Sequence, residues 1–200
     1  MAESLEFMDE DVNLLLNPDD PDWTEGLCQI ASYCRGNDIA KVLQAIGDHS
    51  QLFVGPGHLP APPWASVYLD QGMMFGASTL KVADMYKRFG LTVPRPGTEP
   101  DDHIAFELGF VAVLNQKLQA AIEAGDHGQA AEMLQALSGF VNDHMAVWLE
   151  PFLCRVEEHA ETDFYRGLAR VTRALTSLER RFLSQLTVEL ADAREGVGSE

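Results

Sequence analysis

The stretch DFYRGLARVTRALTSLERRFLSQL, residues 163–186, decides the fold class of this chain. Its large apolar residues recur at alternating steps of four and three positions: Phe164, Leu168, Val171, Leu175, Leu178, Phe182 and Leu186. That spacing places one apolar stripe along a helix, and Thr162 or Asp163 supplies a side-chain oxygen to cap its first turn. The stretch therefore predicts a long helix that packs lengthwise in a bundle.

The rest of the chain carries weaker helical signals. The residues from Asp101 onward predict a helix that ends near Gly125, with one buried face formed by Ile104, Leu108, Val111, Leu114, Leu118 and Ile122. Shorter helices are predicted over 24–34, 38–46, 78–89, 129–140 and 145–159. Pro151 predicts a break or kink in the last of these.

No segment alternates convincingly as a strand, and only Val67-Tyr68-Leu69 has a short β-like character. Seven or so helices without a sheet predict an all-α fold. We expect a single compact helical bundle over residues 1–200, with two long loops that carry sequence motifs.

The charge balance limits the class of partner. The formal net charge is -17, and the first 34 residues hold nine acids without a Lys or Arg. A nucleic-acid phosphate backbone requires a basic stripe, which this chain does not supply, so a basic peptide is the better expectation. An excess of acidic residues also occurs in proteins where it serves only solubility, and the sequence leaves that interpretation open.

The sequence contains neither a secretory signal pattern at Met1 nor a run of 18 apolar residues. This predicts a cytoplasmic protein without a transmembrane segment. Cys28, Cys34 and Cys154 lack a CxxC spacing, so we expect buried free thiols rather than a disulfide or a zinc site.

Patterns for metal, nucleophile and nucleotide chemistry are missing. The six histidines form no HExxH and no pair of ExxH motifs. The adjacent pairs Asp143-His144 and Asp102-His103 would point about 100° apart on a helix, which does not suit one ion. No GxSxG elbow occurs, and residues 72–79 lack the lysine of a phosphate loop. We expect no metal and no cofactor.

Two loops stand out. The first runs through Leu52-Phe53-Val54-Gly55-Pro56 to a stiff stretch over 62–70 that carries Trp64, Tyr68 and Asp70. The second, residues 99–103, places three acids and an imidazole at the start of a helix. Each has a local explanation by itself, because prolines stiffen loops and acids favour helix N-termini.

Together, these loops resemble the TorD/DmsD family of redox-enzyme maturation chaperones, and most closely its dimethyl-sulfoxide-reductase leader-binding branch. In that family a stretch reading LFxGPxxLPxPPWxSVxLD precedes a Ser-Thr-Leu helix start and an EPxDH motif. This chain supplies the first motif at Leu52, Phe53, Gly55, Pro56, Leu59, Pro60, Pro62, Pro63, Trp64, Ser66, Val67, Leu69 and Asp70. It continues with Phe75, Gly76, Ser78, Thr79 and Leu80, and then with Glu99, Pro100, Asp102 and His103. The resemblance is strongest over residues 52–182.

The resemblance implies a cytoplasmic chaperone, and not an enzyme, that binds the twin-arginine leader of a molybdopterin oxidoreductase such as a dimethyl sulfoxide reductase. It also implies help with maturation of that enzyme before export, and contact with the twin-arginine (Tat) export machinery. The residues expected to bind the leader are Phe53, Trp64, Tyr68, Leu69, Asp70, Phe75, Glu99, Pro100, Asp102 and His103. Their carboxylates suit guanidinium groups, and their apolar side chains suit the greasy part of a leader.

The sequence leaves two other classes of protein open. A small helical enzyme would use Asp102 and His103 as an acid/base pair. A purely structural acidic module would use both loops only as connections. The chaperone reading further expects Trp64 and the segment 99–103 to lie in one concave region.

Overall fold

The structure is a computed structural model that describes residues 20–36, 38–55, 57–94 and 96–197, with side chains as far as Glu189. Pro56 of the first motif and most of the acidic N-terminal segment lie outside the described residues.

The described residues form helices in the following order: α1 Pro21–Cys34, α2 Ile39–His49, α3 Ala65–Leu69, α4 Ala77–Arg88, α5 Ile104–Glu123, α6 His127–Gly139, α7 Ala146–His159 and α8 Asp163–Val197. Two π-helical segments accompany them. The segment π1, Ser50–Val54, continues α2, and π2, Phe140–Met145, joins α6 to α7. Within this part of the chain only isolated bridges occur and no strand forms, which confirms the all-helical prediction. None of these helices is both long and apolar enough to cross a membrane.

At two places the helical structure departs from the local sequence signal. The β-like run Val67-Tyr68-Leu69 lies in the single turn of α3, where the backbone N–H of Asp70 donates to the carbonyl of Ser66. Pro151 lies inside α7 without ending it. The helix persists because Trp148, Phe152 and their neighbours are buried, and tertiary burial outweighs local propensity.

The buried face of α5 is rotated from the predicted one. Leu108 and Ile122 are exposed, and the buried side chains are Glu107, Phe110, Leu114, Leu118 and Ala121. The ring of Phe110 packs between Tyr86 at 4.9 Å and Phe140 at 4.8 Å, and this aromatic contact sets the rotation of the helix.

The three cysteine thiols are exposed, whereas the sequence predicted that they would be buried. In α1 the buried positions belong to Trp23 and Gly26, which leaves Cys28 and Cys34 on the outer side. In α7, Cys154 faces outward because its neighbours take the buried positions.

The chain divides into two compact units. The first contains residues up to Ala61 together with Leu153–Glu179, and the second contains Pro62–Phe152 together with the residues from Arg180 onward. Helices α7 and α8 therefore each contribute to both units.

In the first unit, α1 and α8 meet backbone to backbone at Gly26 and Gly167. A Cβ added to Gly26 would lie 2.9 Å from the carbonyl oxygen of Gly167, and one added to Gly167 would lie 2.6 Å from that of Gly26. Beside this crossing, Trp23 and Ala174 form a small core, and Arg170 pairs with Glu25. The close approach leaves no room for any side chain at the two glycines.

A buried carboxylate joins α2 to the start of α8 in the same unit. Asp48 accepts hydrogen bonds from the backbone N–H of Glu161 at 3.1 Å and of Thr162 at 2.9 Å, and from the Thr162 hydroxyl at 2.5 Å. Thr162 itself caps α8, because its Oγ1 accepts from the N–H of Tyr165 at 3.5 Å. The predicted Thr162 cap is confirmed.

We expect Asp48→Ala to lower the free energy of unfolding by about 2 to 4 kcal/mol, since it leaves buried donors without their charged acceptor. Asp126→Ala is the matched control, because Asp126 is an exposed cap that accepts only from the N–H of Gln129. It should cost about 1 kcal/mol. Urea unfolding followed by circular dichroism measures both, and equal losses would show that Asp48 is an ordinary cap.

Candidate functional site

The two motif loops meet in the second unit. The backbone N–H of Ala65 donates to the carbonyl of Asp102 at 3.0 Å, and that of Ile104 donates to the carbonyl of Pro63 at 2.9 Å. Between these bonds, the rings of Trp64 and His103 lie edge to face with their centroids 6.0 Å apart. We call residues 63–66 and 99–104 the loop junction. The structure thus brings Trp64 and the second motif together, while the concave shape expected of this region stays a prediction.

The side chain of Asp102 holds the loop junction from inside. It is 0% exposed. One carboxylate oxygen accepts from the backbone N–H of Ser66 at 2.5 Å, and the other accepts from the hydroxyl of Thr79 at 2.9 Å. Asp102 therefore ties α3 and α4 to the start of α5, and its charge does not face solvent.

The carboxylate at the surface of the loop junction belongs to Glu99. Its Oε1 accepts from the indole N–H of Trp64 at 2.6 Å, and both side chains are half-buried. The neighbouring Pro100 is buried. This bond fixes the plane of the indole ring beside a carboxylate.

His103 caps helix α5. Its Nδ1 accepts from the backbone N–H of Ala105 at 3.1 Å, so in the neutral ring the proton sits on Nε2. Burial lowers the pKa of His103, while Glu99 and Asp102 act in the opposite direction. The two side chains that an enzyme would pair, Asp102 and His103, are thus each bonded to other groups.

A strained loop follows α3. Asp70 caps α4 by accepting from the N–H of Ser78 at 2.8 Å and from its hydroxyl at 2.9 Å, and a Cβ on Gly76 would overlap this carboxylate. Between Asp70 and Ser78, the residues Gln71 and Phe75 both have a φ of 57°. These are the only positive φ values at non-glycine positions in the part of the chain that is described. Such backbone conformations are unfavourable for L-residues and concentrate at functional sites.

The strained loop presents apolar side chains to solvent. Met73, Met74 and Phe75 are 62%, 45% and 55% exposed. Exposed methionines and aromatic rings in a cluster are typical of surfaces that bind apolar partners.

The remaining predicted residues lie elsewhere. The ring of Tyr68 packs at 5.7 Å from that of Trp148, and Leu69 is half-buried next to it in the chain. Phe53 belongs to the first unit, where its ring lies 5.4 Å from His49 and 5.6 Å from Tyr165.

Sequence reasoning missed a buried acid in the second unit. Glu107 accepts from the indole N–H of Trp148 at 3.0 Å, and its other oxygen lies 2.6 Å from Nε2 of His144. Burial raises the pKa of Glu107, and the bond to His144 opposes that rise. The sequence feature that could have indicated this buried acid is Glu107 itself, the one charged residue in the apolar run 104–114. Among the described residues, no group of three or more potential ligands is placed to hold a metal ion.

We expect Asp102→Ala to lower the free energy of unfolding by about 2 to 4 kcal/mol and to accelerate amide exchange at Ser66, because the loop junction loses its internal acceptor. The control is Asp101→Ala, the adjacent residue of the same type, which is half-exposed. Hydrogen exchange detected by mass spectrometry distinguishes the two variants. Unchanged protection at Ser66 in Asp102→Ala would contradict the assigned role.

Comparison with known proteins assigns a family. The family profile described as nitrate reductase delta subunit matches residues 16–153. Chaperone protein TorD of Vibrio cholerae serotype O1 (Classical Ogawa 395) is 31% identical over 150 residues, which cover 74% of this chain and 66% of that protein. The probable Tat proofreading chaperone DmsD of Haemophilus influenzae is 32% identical over 125 residues, covering 62% of this chain and 54% of that protein.

The Tat proofreading chaperone DmsD of Salmonella typhi is 30% identical over 167 residues, covering 81% of this chain and 74% of that protein. The chain thus spans slightly less than two thirds of the TorD protein and more of the Salmonella DmsD protein. Because the profile covers well over half of the chain and the Salmonella match covers most of both proteins, this chain belongs to the TorD/DmsD family.

Proposed function

We propose that this protein is a cytoplasmic chaperone, and not an enzyme, that binds the twin-arginine leader of a molybdopterin oxidoreductase such as a dimethyl sulfoxide reductase. It assists maturation of that enzyme before export. The observation that carries the proposal is the pairing of the Trp64 indole with the Glu99 carboxylate at the loop junction. Contact with the Tat export machinery is part of the proposal, and it rests on the names of the relatives.

The Trp64–Glu99 pair suits an arginine side chain. A guanidinium is planar, always charged, and binds both carboxylates and aromatic faces. A carboxylate offers about four lone-pair positions, of which the indole N–H uses one. The ring of His103 fixes Trp64 from the side, so the two recognition groups are held in place before a partner arrives.

In this proposal Asp102 and Asp70 do not contact the leader but hold the contact residues in place. The bonds of Asp102 to Ser66 and Thr79 hold the loops that carry Trp64 and Glu99. Asp70 clamps the strained loop through Ser78. An arginine approaching Asp102 would have to replace those buried hydrogen bonds, so Glu99 is the direct contact.

Apolar contacts with the leader come from two groups of residues. Phe75 lies on the strained loop, next to Met73 and Met74, and offers exposed surface. We propose Tyr68, Leu69 and Pro100 as further apolar contacts in the second unit, and Phe53 as one in the first unit.

The alternatives receive less support. An acid/base enzyme needs Asp102 and His103 to be available, but a buried bond network and a helix cap engage them. A module whose loops merely connect helices has no reason to hold two residues at positive φ in order to expose a phenyl ring.

We expect Glu99→Gln to weaken binding of a twin-arginine leader peptide by about tenfold at low salt, because the carboxylate contact is lost. The difference from wild type should shrink at high salt, since the contact is partly exposed to ions. Fluorescence anisotropy with a labelled peptide measures both affinities.

The matched control for this experiment is Glu123→Gln, which removes the same charge at the exposed end of α5. It should bind like wild type, because long-range attraction to a chain of charge -17 changes little when one acid is lost. Equal effects of the two variants would show that net charge, and not the loop junction, attracts the peptide.

We expect Phe75→Gly to leave the free energy of unfolding unchanged or to raise it by up to about 1 kcal/mol, because glycine accepts positive φ without strain. Leader affinity should nevertheless fall by about tenfold, through loss of the apolar ring. Gln71→Gly is the matched control, because it relieves the same kind of backbone strain without removing an aromatic ring. Its free energy of unfolding should change as in Phe75→Gly, while its leader affinity stays at the wild-type level. Full binding by Phe75→Gly would remove the strained loop from the proposed site.

A further inference from the structure

The first unit contains an apolar groove between the end of α1, the length of α2 and the start of α8. It encloses about 510 Å³. The rings of Tyr33, Phe164 and Tyr165 line it on one side, and Val42 and Ile46 line it from α2. We call this cavity the α2 groove. No residue of the loop junction or of the strained loop belongs to its lining.

The groove continues into an apolar stripe on α2. Ile39, Val42, Leu43 and Ile46 are 75%, 57%, 63% and 57% exposed. Their spacing of three, one and three positions places them on one face of the helix. A contiguous stripe of large apolar side chains next to a cavity indicates a surface that another segment of chain covers.

Two cations stand at the end of the groove where α1 ends and α2 begins. The ammonium of Lys41 donates to the carbonyls of Ser32 at 3.3 Å and Tyr33 at 3.2 Å, which leaves one of its three N–H groups. Arg35 is exposed directly after the last residue of α1. Among the residues that the structure describes, neither cation forms an ion pair, and the nearby carboxylate of Asp38 already caps α2. This end of the groove therefore suits an occupant with acidic side chains.

The stretch of chain before α1 has the matching chemistry. Residues 9–11 are Asp-Glu-Asp, and residues 12–16 are Val-Asn-Leu-Leu-Leu. Alternate side chains of an extended chain share one face, so Val12, Leu14 and Leu16 would form an apolar edge. Pro18 favours an extended backbone at the residue before it. We call residues 9–16 the acidic-apolar segment.

The direction of α1 decides where this segment can reach. Helix α1 runs antiparallel to the start of α8, because Asp22 pairs with Arg173 near its beginning, whereas the ring of Tyr33 near its end lies 5.9 Å from that of Phe164. The beginning of α1 is therefore the end that lies away from the groove. A segment that precedes α1 has to return along its length to reach the groove.

The length of chain is sufficient for that return. Helix α1 has 14 residues and is about 21 Å long. The eight residues from Asp20 back to Val12 span up to about 26 Å when extended. Residues 12–16 can therefore lie in the α2 groove, and residues 9–11 then continue towards Arg35 and Lys41. The order of apolar and acidic residues in the segment matches the order of apolar and basic groups along this path.

We propose that residues 12–16 bind in the α2 groove of the same chain, with the acids of residues 9–11 next to Arg35 and Lys41. The occupant belongs to this chain, so the proposal is independent of the proposed function. A short tether gives the segment an effective concentration on the order of millimolar, so that a modest contact is enough to fill the groove. A second copy fits less well, because two chains of net charge -17 repel each other.

Alkylation of the native thiols by iodoacetamide tests the apolar contact in the full chain. The thiolate displaces iodide and forms a thioether, which mass spectrometry assigns to each cysteine. Cys34 lines the groove, whereas Cys28 and Cys154 are exposed outside its lining and report on general unfolding. Leu14→Ser should accelerate alkylation of Cys34 alone by about tenfold, because the segment loses an apolar contact. Asn13→Ser, on the opposite face of the extended segment, is the matched control and should react like wild type.

The charge contact has its own test. Arg35→Gln should accelerate alkylation of Cys34 by about threefold at low salt, and the difference from wild type should shrink at high salt. Loss of a neighbouring cation disfavours the thiolate and would by itself slow the reaction, so an increase reports uncovering of the groove. Lys81→Gln is the matched control, because it removes the same charge at an exposed position of the second unit.

The possible results distinguish the occupants of the groove. Equal rates at Cys34 in wild type and Leu14→Ser would overturn the proposal. Protection of Cys34 that grows with protein concentration would overturn it in favour of a second copy, and protection that arises only with added twin-arginine peptide would overturn it in favour of the leader. If Leu14→Ser accelerates all three thiols alike, the variant has unfolded, and the comparison of Arg35→Gln with Lys81→Gln decides.

Discussion

The organisation of the loop junction depends on the buried carboxylate of Asp102. A fully buried charge is tolerated only when hydrogen bonds replace its hydration, and the N–H of Ser66 and the hydroxyl of Thr79 provide them. Those two donors belong to α3 and α4, while Asp102 lies two residues before the first residue of α5. One side chain thereby determines where the indole of Trp64 and the carboxylate of Glu99 stand, although it is itself hidden from any partner.

Both units have an apolar core, but a few positions depart from the usual distribution of polarity. The carboxylates of Asp48, Asp102 and Glu107 are buried and act as internal connectors. Large apolar side chains are exposed on the strained loop that ends at Phe75 and on α2, at Ile39, Val42, Leu43 and Ile46. Interior acids give geometric precision because their bonds are directional, and exterior apolar groups give adaptable contact. This combination supports the proposed binding of an apolar, cationic leader.

The helices α5 and α8, the Thr162 cap and the meeting of the two motif loops could be predicted from the sequence, because periodicity, capping chemistry and ordered motifs are local signals. The exposure of Leu108 and Ile122 could not, because the packing of Phe110 against Tyr86 and Phe140 sets the rotation of α5. The burial of Asp102 and the Glu107–His144 contact were equally out of reach, since each depends on partners distant in the chain. Asp102 was expected to face the leader, and its two internal bonds give it a supporting position instead.

The π-helical segment π2 holds one more residue in its turn than an α-helix would, because its hydrogen bonds join residues five apart. One residue lost from 140–145 would convert this turn to an ordinary α-helical turn, so the side chains of α7 would keep their direction. Trp148 would stay next to Glu107, and the buried carboxylate would keep its donor. Single-residue deletions among relatives should therefore be tolerated within this segment, as they are expected to be at the exposed turn at Gly125.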